Sequence, residues 1–366
     1  MVSSCKGSVR NRKLVKGMDQ EKDGKLCTPE KINSFSKRKI GCKDFEGKKY
    51  HLLSYHELPE YMKDNEYILN YYRADWPLKQ AFFSVFRWHN ETLNVWTHLL
   101  GFLLFLGLTV ANVKDVAQVA DFITVFAGQY PSANISKNFS LGPTKLIDLK
   151  QESHLKIDTT SSEAATTNWP FYVYLGGSMF CLLSSSVCHL FCCHSRHLNL
   201  LLLQMDYVGI TVMIITSYFP AMYYIFQCTP HWQVVYLVGI TIVGICTIVT
   251  LLTPAFSTGK YRSFRAMLFV SMGLIGLIPA VHAVVVNWED PHRNVTLAYE
   301  SVMALSYLIG TMFYVCRIPE RWKPGFFDLA GHSHQIFHVF VVFGALAHYD
   351  AAQLFLRYRG QIGCDK

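Results

Sequence analysis

The sequence contains few charged residues. Asp, Glu, Lys and Arg make up 16% of its 366 positions, hydrophobic residues make up 51%, and the mean hydropathy is +0.19. This composition is unusual for a soluble chain and argues against an ordinary soluble enzyme. Residues 1–50 contain eleven Lys, three Arg and six acids, so they carry the whole net charge of +8. Because this charge lies in a polar, Lys-rich tail rather than on a foldable face, we expect no binding of nucleic acid.

Two further features of secreted proteins are missing. The eleven cysteines lack the paired spacing of a disulfide scaffold, and most of them lie in the tail or inside apolar stretches. No apolar run occurs between Met1 and Asp44, so we expect no signal peptide.

Apolar runs, in contrast, are long and numerous. Seven of them have about twenty residues, enough to cross a ~30 Å hydrocarbon core as a helix. They contain no Lys, and their deep acids are Asp206 and Glu300. We therefore predict an all-α, multi-pass membrane protein with a bundle of seven transmembrane helices, whose backbone hydrogen bonds are satisfied within each span. Numbered one to seven, the predicted spans are Leu93–Val113, Trp169–Leu190, Leu200–Phe226, Trp232–Leu252, Phe264–Trp288, Val295–Cys316 and His334–Leu356.

Basic residues in the connections predict the orientation. They precede span one and follow spans two, four and six, as with Lys260 and Arg317, whereas the other connections are poor in positive charge. By the positive-inside rule, the N-terminus is cytoplasmic and the C-terminus is outside. The sequons at Asn134, Asn138 and Asn294 then lie outside, while the one at Asn90 lies inside and must stay unmodified. Cys228 and Cys364 are both predicted outside and could pair, although the sequence does not fix this.

The same pattern divides the chain. We predict a disordered basic tail at 1–50, juxtamembrane helices at 51–92, the bundle at 93–356 with an external insertion at 114–168, and a short outer tail at 357–366. For the juxtamembrane part, helices lying on the inner leaflet and a small soluble cap on the bundle are equally good interpretations. The plasma membrane and an endomembrane are both compatible locations.

Polar residues that a membrane interior disfavours converge at one depth, near the inner face. His334 and His338 are four residues apart at the start of span seven, and Ser185 and His189 are four apart at the end of span two. Asp206 lies early in span three. Span one begins with a further set containing Glu91, Asn94 and His98.

Three imidazoles at one level favour a metal ion. A histidine pair at helical spacing is more often a cap or a hydrogen-bonded core pair, but a third histidine and an aspartate at the same depth favour zinc. His189, His334 and His338 with one water would form a tetrahedral site with an open position. Asp206 would then accept a hydrogen bond from that water, and Ser185 would hold a substrate oxygen or orient the water.

Other polar groups are weaker candidates. Cys188, Cys192 and Cys193 flank His189 and could supply thiolates, although apolar burial or palmitoylation is the commoner fate of such cysteines. His282 and Glu300 are placed nearer the outer face and are expected to be packing groups.

The set of motifs resembles the progestin and adipoQ receptor family, particularly its plant heptahelical branch, over roughly residues 51–357. The residues that carry this resemblance are 90–98 (NETLNVWTH), Ser185 to His189 with Asp206, 317–322 (RIPERW) and 331–338 (GHSHQIFH). The resemblance implies seven helices with a cytoplasmic N-terminus and zinc ligands at His189, His334 and His338, with Asp206 and Ser185 beside them. It also implies a receptor role in lipid-linked hormone or stress signalling, with ceramidase-type hydrolysis in the adiponectin-receptor branch. The basic tail and the long insertion depart from the family pattern.

Two functions remain open at this point. In the first, a receptor also hydrolyses a lipid amide with catalytic zinc, Asp206 acting as general base on a ceramide-like substrate. In the second, the protein is a non-enzymatic receptor or scaffold in which zinc only joins spans two and seven. Either function leaves an unknown extracellular or lumenal ligand, membrane lipids and a cytoplasmic partner of the tail as expected partners.

Overall fold

Seven long helices dominate the structure, a computed structural model that describes residues 41–43, 49–114 and 168–359. All seven are long and apolar enough to cross a membrane, so the predicted all-helical, seven-span architecture is confirmed. The spans are Thr92–Lys114, Trp169–Phe191, Arg196–Ile225, Pro230–Leu251, the pair Arg262–Ile275 and Leu277–Val286, Arg293–Cys316, and Ser333–Leu354 extended by a π-turn at Phe355–Arg359. The predicted bounds are within a few residues of these. Most of the tail, most of the insertion with Asn134 and Asn138, and Cys364 lie outside the described residues.

Local sequence explains where several helices begin and bend. Pro170 and Pro230 lie in the first turns of spans two and four, where a missing N–H costs nothing. The Ser195 side chain caps span three by accepting from the Leu198 N–H at 3.4 Å. Span five was predicted as one continuous helix. In the structure it is divided at Gly276, three residues before Pro279.

A short segment covers one end of the bundle, and we call residues 52–76 the cap. Strands Gly41–Lys43 and Lys49–His51 precede it, two 3₁₀ turns at Tyr55–Glu57 and Glu60–Met62 lie within it, and helix Leu78–Phe83 with the 3₁₀ turn Ser84–Phe86 follows it. Leu58, Ile68 and Tyr72 form a small core inside the cap. Trp76 packs against Ala81 and Cys193, which joins the cap to the end of span two.

The main core lies between spans one, two, three and seven. It includes Phe105, Tyr174, Leu182, Met213 and Val341. Half or more of the membrane-spanning residues are buried in spans two and seven (56% and 50%), but only 11% in each of spans five and six. The helices that supply the three predicted metal ligands are therefore the most enclosed ones.

A glycine brings spans two and three into direct contact beside the site. A Cβ atom built on Gly209 would lie 3.0 Å from the Cys181 Cα and would collide with the Ser184 hydroxyl. Gly209 is three residues after Asp206, so this close approach sets the distance between Asp206 and the His189 end of span two.

Candidate metal centre

Three histidines from two spans meet in the interior. The ring centroids of His189 and His334 are 4.9 Å apart, those of His189 and His338 are 4.9 Å apart, and those of His334 and His338 are 4.7 Å apart. One nitrogen from each ring lies within 4.8 Å of the others. This is the only group of metal-ligating side chains at such distances within the described ranges. The residues predicted from helical spacing are thus brought together and could hold a metal ion.

His189 is oriented by a carboxylate. Its Nδ1 lies 2.8 Å from the Glu91 Oε2, across the contact between spans one and two. Its Nε2 is buried and has no hydrogen-bond partner among the described residues. Since an imidazole that donates from Nδ1 presents a lone pair at Nε2, this tautomer suits a metal ligand. Glu91 thus places a carboxylate beside the ring, a common partner of metal-ligating histidines.

His338 has a similar second partner. Its Nδ1 lies 3.2 Å from the Asn94 main-chain oxygen and 3.3 Å from the Thr97 hydroxyl. The ring also stacks on His98, with centroids 3.7 Å apart and an interplanar angle of 7°. Its orientation is therefore fixed from span one, and Nε2 is left for a ligand role.

Main-chain anchors fix the helix ends that carry the ligands. The buried Arg73 guanidinium donates to the carbonyls of His189 at 2.7 Å and Leu190 at 3.0 Å, where span two ends. A cation at a helix C-terminus also complements the helix dipole. At the start of span seven, Glu320 accepts from the Ser333 N–H at 2.8 Å, one residue before His334.

Asp206 and Ser185 lie next to the histidines but are not ligands. The Asp206 carboxylate is within electrostatic reach of His189 and lies beside the Ser185 hydroxyl. Neither belongs to the group at ligand distance. The Ser185 hydroxyl is buried. Asp206 also lines the cavity that the histidines reach, whereas Ser185 does not.

The donor set fits zinc. Zn²⁺ prefers neutral imidazole nitrogens, and His189 offers a buried one without a partner, while Glu91 supplies the compensating negative charge. A zinc ion held by these three side chains would keep a fourth position for water or substrate, as catalytic zinc sites do.

A cavity of about 690 Å³ extends from this centre towards the cap. His189, Asp206 and His334 line its inner end, and cap residues such as Tyr61 and Asp64 line its other end. Its volume lies within the ~300–1,000 Å³ range of small-molecule sites. The metal centre can therefore be reached by a ligand from the cap side of the membrane.

The remaining polar candidates do not contribute ligands. Cys188 and Cys193 are buried and Cys192 is half-buried, and all three are free thiols outside the histidine cluster. The His282 Nδ1 lies 2.8 Å from the Tyr236 hydroxyl, and Glu300 lies 2.9 Å from His348. Both groups act as packing pairs between helices.

Two residues that position the ligands were not predicted from the sequence. Glu91 was named only as a member of a polar set, and Arg73 was not named. Their partners are 98 and 116 residues away in the chain. The signal available for Glu91 was an acid directly before an apolar span that contains none, three residues before Asn94; no comparable signal marks Arg73.

Comparison with known proteins identifies the family. The model for the haemolysin-III related family matches residues 86–349. Heptahelical transmembrane protein 1 of Arabidopsis thaliana is 58% identical over 317 residues, covering 87% of this chain and 85% of its own length. Heptahelical transmembrane protein ADIPOR1 of Oryza sativa subsp. japonica is 53% identical, with 87% of both chains covered. The adiponectin receptor protein of Drosophila melanogaster is 33% identical over 83% of this chain and 60% of its own. The chain therefore belongs to the haemolysin-III related family, which includes the progestin and adipoQ receptors, and the resemblance seen in its motifs is confirmed.

Proposed function

We propose that this integral membrane protein is an adiponectin-receptor-like signalling protein that hydrolyses a lipid amide with zinc at the inner face of its membrane. The observation that carries the proposal is the cluster of three histidines, two of which line the inner end of a ligand-sized cavity. The acid Asp206, which lines the same cavity as two of the histidines, supports a reaction rather than binding alone.

Each residue has a role in this reaction. His189, His334 and His338 would hold the zinc ion, which supplies a Lewis acid that polarises a carbonyl and acidifies water. Asp206 would take a proton from the attacking water and return it to the leaving amine, so that an amide and water give a carboxylic acid and an amine. Ser185 would donate its hydroxyl hydrogen to the substrate oxygen. Glu91 keeps the His189 ring in the ligating orientation.

The proposed orientation places the N-terminus and the cavity on the cytoplasmic side. Support comes from Cys228, which follows span three and forms a disulfide. Disulfides persist in oxidising compartments, which supports an outer location for this connection. The cap then faces the cytoplasm, a signalling ligand would bind the outer loops, and a cytoplasmic partner would bind the basic tail.

A structural zinc is the alternative. Closed structural sites have four protein ligands, and the described residues supply three at ligand distance. The missing fourth ligand favours the hydrolase.

Zinc content and turnover, measured together on the purified full chain, test the proposal. Asp206→Asn keeps the shape of the side chain and removes the base, so we expect one zinc per chain in wild type and variant, with hydrolysis of an N-acyl lipid lost only in the variant. Full turnover by Asp206→Asn would contradict the assigned base. A wild-type protein that binds zinc and hydrolyses no lipid amide would support the structural alternative.

A further inference from the structure

The charges that line the cavity do not balance. Three of its five acids pair with a Lys or Arg: Glu60 with Lys63, Asp64 with Arg262, and Glu66 with Arg317. Glu91 bonds the neutral His189 ring, and Asp206 has no ion pair among the described residues. Four basic residues of the lining have no acidic partner among the described residues, namely Arg73, Arg196, Lys260 and Arg265. With its histidines neutral, the lining has six Lys and Arg side chains against five acids, a small excess of positive charge before a metal ion is bound.

Arg265 is the most unusual of the four. Its side chain is only 3% exposed, yet its hydrogen bonds go to neutral groups, the carbonyls of Phe256 at 2.6 Å and Thr258 at 2.7 Å and the Tyr314 hydroxyl at 3.5 Å. Its Nε has no partner among the described residues. The nearby Asp64 is already paired with Arg262, so Arg265 has no counter-charge of its own, and an anion in the cavity would supply one. Arg73 is weaker evidence for a bound anion, because the carbonyl groups at the C-terminal end of span two balance its charge.

Arg265 also lies close to the metal centre. Its guanidinium stacks over the ring of Tyr207, the residue after Asp206, at 4.8 Å. The ring of Tyr314, which Arg265 contacts through the hydroxyl, lies edge-on to His334 with centroids 5.3 Å apart. One aromatic side chain thus separates the buried cation from a metal ligand.

Two exposed cations complete the set. Lys260 lies in the connection before span five, and Arg196 lies in the first turn of span three, whose N-terminal N–H groups also favour an anion. Donors on separate elements suit an anion with several oxygens and more than one charge, and arginine and lysine both bind phosphate.

We propose that the cavity binds a lipid whose head group carries a phosphate, so that the substrate is a phosphorylated N-acyl lipid rather than a neutral one. The statement about the substrate rests on the proposed hydrolase, whereas the binding site does not. A free phosphate ion would fill little of a 690 Å³ cavity that is also lined by Leu200, Leu203 and Cys188. An acyl chain beside the head group accounts for that remaining volume.

Binding to the full chain in micelles of a neutral maltoside detergent, which carries no phosphate, tests the proposal. Ceramide 1-phosphate and ceramide with the same acyl chain would be titrated against wild type and against the double variant Arg196→Gln/Lys260→Gln, whose exposed positions avoid disturbing the fold. We expect wild type to bind the phosphorylated lipid about tenfold more tightly or better. The double variant should lose this preference and keep its zinc. Lys323→Gln, an exposed lysine that does not line the cavity, is the matched control and should keep the preference.

The outcomes separate this site from the hydrolase. Equal binding of the two lipids by wild type, or an undiminished preference in the double variant, would overturn the head-group site. Equally strong binding of inorganic phosphate or oleate would also overturn it, because it would show a site for a free anion or for a fatty-acid product. A preference for the phosphorylated lipid without any hydrolysis would support the head-group site and contradict the proposed hydrolase. Hydrolysis of both lipids, bound with equal affinity, would support the hydrolase and contradict the head-group site.

Discussion

The Arg73 guanidinium donates to the main-chain carbonyl of His189 at 2.7 Å, so a residue of the cap holds the end of the helix that carries a metal ligand. The same guanidinium donates to Leu190 and Ser84. The buried Arg73 side chain thus connects the cap to the end of span two, next to the metal centre. A change at Arg73 should therefore alter the affinity of the centre for its metal.

Replacing Arg73 should weaken both stability and zinc binding. Arg73→Gln removes charge-assisted hydrogen bonds worth roughly 1.5–3 kcal/mol each, so the midpoint of thermal unfolding should fall. Zinc affinity, measured well below that midpoint, should fall as well, because His189 is no longer held. Lys79→Gln, an exposed change on the next helix, serves as the control. An unchanged zinc affinity in Arg73→Gln would limit Arg73 to a structural role.

Replacing the ligands should abolish metal binding. His334→Ala combined with His338→Ala leaves one of three ligands, so zinc in the purified protein should fall from about one per chain to background. Because zinc bound to the folded state adds to its stability, a chelator should lower the unfolding temperature of wild type and leave the double variant unaffected. His197→Ala, at an exposed position, should behave as wild type. Full zinc occupancy in the double variant would mean that the three rings are only a hydrogen-bonded core.

Replacing Glu91 should weaken the metal without removing it. Glu91→Gln keeps a hydrogen bond to His189 but loses the negative charge, and changes of this kind typically cost ~10–100-fold in metal affinity or activity. Competition with a fluorescent zinc chelator measures that affinity. Glu289→Gln, on an exposed acid in the connection between spans five and six, is the control. Equal affinities of Glu91→Gln and wild type would show that the carboxylate does not tune the site.

The orientation can be tested with tags at Met1 and Lys366. In sealed vesicles with the cytoplasmic side inward, an added protease should spare the first tag and remove the second, because basic connections stay in the cytoplasm. Loss of the Met1 tag with survival of the Lys366 tag would reverse the orientation and place the cavity on the other side.

Local patterns were sufficient to predict much of this molecule. Long apolar runs located all seven spans, and the spacing of His334 and His338 placed both on one helix face. The direction in which each span crosses the membrane then predicted that His189 lies at the same depth as these two residues. This inference required no knowledge of how the helices pack. Such patterns depend on neighbours within a few residues, which a sequence displays directly.

Contacts between distant segments could not be predicted in this way. The pairs Glu91–His189, Arg73–His189 and Asn65–Glu320 join residues separated by 98, 116 and 255 positions. Their formation depends on which helices are neighbours and on how each is rotated, and neither property is encoded in hydropathy. The division of span five at Gly276 was missed because the run remains apolar throughout.

The uneven burial of the helices affects how the bilayer acts on the protein. Spans five and six present most of their surface outward, whereas spans two and seven are enclosed. A thinner or thicker membrane tilts or bends the helices that lipid tails contact, at a cost of fractions of a kcal/mol per Å of mismatch. Such forces act first on the cavity wall formed by Arg265 and Tyr314, while the histidines lie on the two most enclosed helices. Membrane thickness should therefore change access to the metal centre more than it changes the centre itself.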